Sequence, residues 1–146
     1  MEHLIEKLYI SHQHLSQLLS SFASDQEGQP APGEWSFREL AAHLAEAEED
    51  CLLKRIRLIA AGGQVHFASY ENSGDDFSQF DLLDSLERWA KARRKVLDFV
   101  ASLSPEQLAF TATHAAFGTI TIADYLREFH DHDVEHLHDL ERQLGE

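Results

Sequence analysis

Four long segments with helical periodicity constrain the fold of this chain more than any other feature of its sequence. They cover approximately residues 2–23, 36–61, 80–103 and 121–144. In the first segment, apolar residues recur at the three- and four-residue spacing of one helix face, as Ile5, Leu8, Leu15, Leu19 and Phe22. Segments of roughly twenty residues separated by short-to-medium breaks predict an all-α fold, a four-helix bundle formed by a single domain over residues 1–146.

Capping signals fix where two of these helices begin. Ser36 is followed three residues later by Glu39, which is the spacing of a capping box, and Thr121 with Asp124 repeats the pattern. A glycine pair that starts at Gly62 marks the end of the second helix. The second and fourth helices are therefore the best-defined elements of the sequence.

The segment between the second and third helices is predicted to be a loop. Residues 63–79 show no apolar periodicity, and a loop of that length in a small domain often covers or lines a site. Strand signals are confined to short Thr/Ile pieces near residues 119–122. No sheet is expected.

The charge balance excludes some classes of partner. Aspartate and glutamate number 26 against 12 lysines and arginines, so the formal net charge is −14. A nucleic-acid-binding protein needs a basic surface, and an acidic protein is repelled by anionic lipid. We expect no nucleic acid and no membrane partner, but a small-molecule substrate or a protein partner.

Two further features bear on the cellular location. The single cysteine, Cys51, cannot form an internal disulfide, and its position in an apolar stripe predicts a small buried side chain. The first residues lack the basic start and continuous apolar run of a signal peptide, and no apolar run is long enough for a membrane helix. A cytoplasmic location is expected.

The stretch FHDHDVEHLHDL, residues 129–140, contains four histidines that helical geometry separates into two groups. His132 and His136 lie four residues apart on the face that points into the bundle, which is the spacing of two ligands to one metal ion. His130 and His138 are expected at the surface. By itself such a pair is weak evidence, because a histidine at the edge of an apolar face is more often a hydrogen-bonded structural residue.

A third histidine on another helix strengthens the metal hypothesis. His43 lies at the edge of the core-facing stripe of the second helix, where it can meet His132 and His136 inside a bundle. Three neutral imidazoles with an open position form a catalytic type of zinc site, and they also suit nickel or iron. His12 is expected in the core rather than as a fourth ligand.

Charged residues on the inward faces have two interpretations. Glu48 can form a buried ion pair with Arg55 or Arg93, or the arginines can extend toward solvent. Alternatively Glu48 or Asp133 orients a ligand histidine, or an arginine binds an anionic substrate.

The chain resembles the DinB/YfiT-like superfamily of bacterial four-helix bundles. The stretches GEWSFRELAAHLAEAEE and GTITIADYLREFHDHDVEHLHDLERQL carry the resemblance, with a histidine seven residues after Ser36 and a last helix that contains HD followed by EH. The resemblance implies an up-down-down-up bundle, often a homodimer, with a divalent metal ion, Zn²⁺ or Ni²⁺, held by His43, His132 and His136.

The resemblance also suggests an activity. The best-defined enzymes of the family are transferases and isomerases that use a low-molecular-weight thiol such as bacillithiol or mycothiol. A metal-dependent, thiol-dependent transfer to a small electrophilic molecule is therefore the leading expectation. Metal-dependent hydrolysis and a metal-binding, stress-associated protein without turnover are the alternatives.

Overall fold

Four long helices form the framework of the protein in the computed structural model, which describes residues 1–145. Helix α1 spans Glu2–Ser20, and the second long helix consists of α2 (Phe37–Ala47), a π-helical segment (Glu48–Leu53) and α3 (Lys54–Ala60). Helix α4 spans Leu82–Ala101, α5 is a short helix at Pro105–Ala109, and α6 spans Ile122–Leu144. None of the described helices combines the length and hydropathy needed to cross a membrane.

The predicted capping boxes are present at the starts of α2 and α6. The Ser36 hydroxyl accepts a hydrogen bond from the backbone N–H of Glu39, whose carboxylate accepts from the Ser36 N–H. Thr121 and Asp124 make the same reciprocal contacts. Each box satisfies backbone donors that a helix start leaves free, so the beginnings of both helices that carry the candidate histidines are fixed by local sequence.

Two hydrophobic clusters give the direction of each helix. Leu8, early in α1, belongs to a cluster with Ile59 at the end of the second helix, Val100 at the end of α4 and Ile122 at the start of α6. Later in α1, Leu19 belongs to a cluster with residues from the start of α2, the start of α4 and the end of α6, namely Phe37, Leu82 and Leu140. Helices α1 and α6 therefore run one way and the second helix and α4 the other, in up-down-down-up order.

A small sheet corrects the expectation of a purely helical fold. Strands β1 (His66–Phe67), β2 (Thr111–His114) and β3 (Gly118–Thr121) form a three-stranded sheet in the order β1-β2-β3. β1 is parallel to β2, and β2 is antiparallel to β3. Strands of two to four residues are too short to show the alternation by which a strand is recognised in sequence. The fold is a four-helix bundle with an added sheet.

The β2–β3 hairpin turns through residues 115–117 and returns at Gly118. In the antiparallel register, His114 lies opposite Gly118, which has φ +72°. A hairpin loop of this length commonly closes on a glycine in the left-handed region, because a side chain is strained there. The hairpin thereby brings His114 beside α6, where its ring meets that of Tyr125.

Candidate metal centre

The predicted histidines come together in the bundle. His43 projects from α2, and His132 and His136 project from successive turns of α6. One ring nitrogen from each residue lies within 4.8 Å of the other two, and all three side chains are half-buried. Among the described residues, these three histidines form the group whose spacing could hold a metal ion. We call these three residues the histidine cluster.

The distances within the histidine cluster suit a small divalent ion. The Nε2 atoms of His132 and His136 are 3.0 Å apart. The ring of His43 lies with its centre 5.6 Å from each of the other two ring centres. Imidazole nitrogens that share a tetrahedral zinc ion lie ~3.3 Å apart, because each Zn–N bond is ~2.0–2.1 Å. The three residues therefore fit a divalent ion by both donor type and spacing.

Asn72 orients the imidazole of His43. The His43 Nδ1 donates a hydrogen bond to the Asn72 side-chain oxygen at 2.6 Å, and the Asn72 amide donates to the His43 carbonyl at 3.3 Å. Because an amide oxygen only accepts, the proton of the neutral His43 ring lies on Nδ1 and the Nε2 lone pair is left for a metal ion. Asn72 belongs to the segment 63–79, which was predicted to line a site.

Burial keeps the histidine cluster neutral at physiological pH. Desolvation lowers the pKa of His43 to about 4, opposed by its hydrogen bond with Asn72. Desolvation together with the neighbouring His132 and His43 lowers the pKa of His136 to about 3, and burial also lowers the pKa of His132. Metal ligation requires an unprotonated nitrogen, so these rings are in the correct state near pH 7.

The two carboxylates that the sequence suggested as supports for ligand histidines have other partners. Glu48 and Asp133 both accept hydrogen bonds from Arg93 and are at most 2% exposed. Ser11 also donates to Asp133, at 2.7 Å. Among the described residues, neither carboxylate makes a hydrogen bond with the histidine cluster. The structure thus pairs both carboxylates with Arg93, and the hydrogen bond that orients His43 comes from Asn72.

The remaining candidates lie outside the histidine cluster. The predicted Glu48–Arg93 ion pair is present, whereas Arg55 donates to the Ala68 carbonyl and the Tyr125 hydroxyl. His12 is 4% exposed, as expected for a core histidine, and its ring packs edge-on against Trp89. His138 is exposed, as expected, His130 is half-buried, and neither belongs to the cluster.

A cavity of about 360 Å³ opens beside the histidine cluster. His43 and His132 form one side of it, and residues 69–73 of the predicted loop form another. Four carboxylate side chains and no lysine or arginine are among its lining residues, and the acidic ones are Glu71, Glu128, Asp131 and Glu135. Its volume is within the range of small-molecule sites.

A smaller cavity of about 190 Å³ meets the histidine cluster at its third member. His136 lines it together with Trp35 and Arg142. The histidine cluster is thus accessible from two cavities, and the smaller one contains an arginine that the larger one lacks.

Sequence reasoning missed two polar residues of the larger cavity, Asn72 and His114. Both lie in irregular or short extended structure, where no periodicity predicts the direction of a side chain. Asn72 reaches His43, 29 residues away in sequence, through tertiary packing. His114 reaches Tyr125 because of the hairpin. The sequence contains no local signal that would have identified them.

Comparison with known proteins identifies similar sequences and structures. A family model described as the DinB superfamily matches residues 5–140. A solved structure of YfiT from Bacillus subtilis, described as a probable metal-dependent hydrolase with an unusual four-helix bundle topology, superposes with a TM-score of 0.76 at 18% identity. The match covers 99% of this chain and 87% of that one, and at this identity it establishes likeness of fold. No curated protein matches the chain.

Proposed function

The chain belongs to the DinB superfamily, and from its histidine cluster we propose that it is a metal-dependent enzyme that hydrolyses a small molecule. One observation carries the proposal: three neutral imidazoles converge within 4.8 Å at the wall of a cavity. A similar fold in a protein described as a probable metal-dependent hydrolase supports it.

Each residue of the proposed site has a defined task. His43, His132 and His136 would hold a divalent ion, with Zn²⁺ or Ni²⁺ the best match to three imidazoles. When bound, such an ion acts as a Lewis acid and lowers the pKa of a water or thiol at its open position. Asn72 holds the His43 ring in the tautomer that leaves Nε2 free. Residues 69–73 form one wall of the cavity in which a substrate would lie.

The chain itself supplies no accessible thiol nucleophile. Cys51 is 1% exposed, its sulfur lies 3.1 Å from the Tyr125 hydroxyl, and burial raises the pKa of its thiol. The reactive form of cysteine is the thiolate, which such surroundings disfavour. A hydrolytic reaction needs only water and the substrate in the cavity.

A thiol-dependent transfer is the second candidate, and the smaller cavity favours it. That cavity meets His136, and its arginine, Arg142, is paired with Asp139 at 2.9 Å. Two reactants could then approach the histidine cluster from separate cavities.

Metal analysis tests the part that both candidates share. We expect untagged protein to retain close to one divalent ion per chain, and His43→Ala, His132→Ala and His136→Ala each to lose most of it because a tetrahedral site depends on every ligand. His138→Ala, on the same helix as two of the ligands but outside the cluster, serves as the control and should retain the ion. Full retention in all three cluster variants would contradict the proposal.

A substrate panel distinguishes the two reactions. Esters, amides and epoxides are assayed with metal-loaded protein, with and without added thiol. Turnover without thiol supports hydrolysis, whereas turnover that requires thiol supports transfer. A protein that binds metal stoichiometrically and turns over none of the panel would favour the third alternative, a metal-binding protein without catalysis.

A further inference from the structure

The end of the larger cavity that is formed by Tyr125 and His114 contains two hydrogen-bond donors that the proposed metal centre does not use. The rings of these residues are 5.9 Å apart and nearly perpendicular, and both line the cavity. Tyr125 is 2% exposed and His114 is 5% exposed. A donor that faces a cavity is hydrated, and a ligand atom can take the place of that water.

The β2–β3 hairpin determines the tautomer of His114. Its Nδ1 accepts hydrogen bonds from the backbone N–H groups of Ala116 and Phe117, at 3.0 and 3.4 Å. Backbone N–H groups only donate, so Nδ1 of the neutral ring has no proton and Nε2 carries it. Among the described residues, no hydrogen-bond partner is found for that Nε2–H. His114 therefore offers a donor whose orientation is fixed by the hairpin.

Arg55 prepares the hydroxyl of Tyr125 as a donor. Its guanidinium donates to the Tyr125 oxygen at 2.9 Å and is itself held by the Ala68 carbonyl and stacked over Phe67. A hydroxyl that accepts a charged hydrogen bond donates its own proton more strongly. The neighbouring Cys51 sulfur is a weak acceptor, so an oxygen that enters the cavity would compete successfully for that proton.

The charges around the cavity restrict what such an oxygen can belong to. A carbonyl oxygen has two lone pairs and no proton, so it can accept from both donors at once. A carboxylate could do the same, and Arg55 lies 2.9 Å from the Tyr125 hydroxyl, but the four carboxylates that line the cavity outnumber this cation. Repulsion by these exposed carboxylates, which solvent and salt weaken, disfavours an anion and favours a neutral or cationic molecule.

We propose that Tyr125 and His114 bind a carbonyl oxygen of the substrate, and that the substrate is an uncharged or cationic amide or ester. This inference rests on the proposed function for the reaction at the histidine cluster, but the two donors bind independently of any metal ion. Phe129, whose ring lies 5.6 Å from that of Tyr125, provides an apolar wall for the body of the molecule.

Benzamide and its relatives are suitable probes, with binding followed by NMR titration of labelled protein. We expect 4-(aminomethyl)benzamide, a cation, to bind at least as tightly as benzamide, and the anion 4-carbamoylbenzoate to bind more weakly than either. Thiobenzamide, whose sulfur is a poor acceptor, should also bind more weakly. Tightest binding by the anion, or no binding of benzamide to the wild-type protein, would overturn the proposal.

Three variants separate substrate binding from a structural role. Tyr125→Phe removes only the hydroxyl, and His114→Asn keeps an acceptor for the turn while it removes the Nε2 donor. Each should weaken benzamide binding roughly 3- to 10-fold, the usual effect of one neutral hydrogen bond. His114→Gln restores a donor near the Nε2 position and should recover part of the loss. Tyr9→Phe, which removes an exposed hydroxyl outside the cavity, is the matched control and should bind normally.

The same titration distinguishes this proposal from the proposed function. The triple variant without the histidine cluster should still bind benzamide, so a failure of metal binding does not affect the result. Unchanged benzamide affinity in both Tyr125→Phe and His114→Asn would overturn the assignment of the two donors even in an active metalloenzyme. If His114→Asn perturbs the hairpin in the NMR spectrum, Tyr125→Phe decides the outcome.

Discussion

Arg93 links α4 to the three other long helices through buried hydrogen bonds. It is 2% exposed, donates to the carboxylates of Glu48 and Asp133, and also donates to the Leu8 carbonyl at 2.8 Å. Together, Arg93, Glu48 and Asp133 carry a formal charge of −1. Without the arginine, the two carboxylates would carry −2. Charges removed from water are tolerated when they are paired and hydrogen-bonded.

Arg93→Met should therefore strongly destabilise the protein. Methionine approximates the volume of the arginine stem but leaves two buried carboxylates without their partner, which costs about 3–5 kcal/mol in comparable cases. Urea unfolding followed by circular dichroism measures the free energy of unfolding. Arg94→Met removes an exposed arginine from the same helix and should change stability by less than about 0.5 kcal/mol. Equal stability of the two variants would contradict this prediction.

At the scale of single residues, the sequence predicted groups on long helices better than groups elsewhere. The inward direction of the His43, His132 and His136 side chains could be predicted because each residue lies on a helix with a clear apolar face. Glu48 and Asp133 were also placed inward correctly, but sequence spacing could not decide between Arg93 and a histidine as their partner. That choice depends on the distance between helices, to which periodicity is insensitive.

At the scale of elements, the second long helix departs from regular geometry at its π-helical segment, Glu48–Leu53. A π turn holds more residues than an α turn, so residues beyond it are rotated relative to a regular projection. A regular helix projection places Leu58 on the same side as Leu40, yet Leu58 is 49% exposed, whereas Ile56 and Ile59 are fully buried. A projection at 100° per residue is reliable only up to such an irregularity.

The β2–β3 hairpin gives a second element-scale prediction, at Gly118. A Cβ added there meets nothing within 4 Å, so Gly118→Ala is opposed only by the backbone angle of φ +72°. The expected loss is about 1 kcal/mol in the free energy of unfolding. Gly63→Ala is the matched control, because its Cβ also meets nothing and its φ is not in the left-handed region. A smaller loss for Gly118→Ala than for Gly63→Ala would contradict the argument.

At the scale of the whole molecule, a metal ion would link the second helix to α6. Zn²⁺ at one hundred times its dissociation constant should raise the free energy of unfolding by about 2.7 kcal/mol, provided that the unfolded chain does not bind it. Thermal or urea unfolding with and without Zn²⁺ measures this effect. His136→Ala should show little stabilisation, and His138→Ala should show the full effect. Equal stabilisation of both variants would indicate nonspecific binding to the acidic surface.

The arrangement of the bundle was largely predictable, and the sheet was not. Four periodic segments and two capping boxes determine the helices, and the family resemblance supplied their order. β1 and β2 pair between Phe67 and His114, which are far apart in sequence, and no local sequence pattern predicts this pairing. The homodimer and the thiol cosubstrate stay predictions, and sedimentation of the purified protein would test the first.

The packing of α1 against α6 has a consequence for how the protein matures. Ser11 is bonded to Asp133 across 122 residues, and Leu8 packs with Leu126 in the same hydrophobic cluster. During synthesis the first helix therefore waits for the last one, and the histidine cluster is incomplete until α6 has been made. Metal loading would then follow completion of the bundle rather than guide it, so the supply of the ion would act on a chain that has already folded.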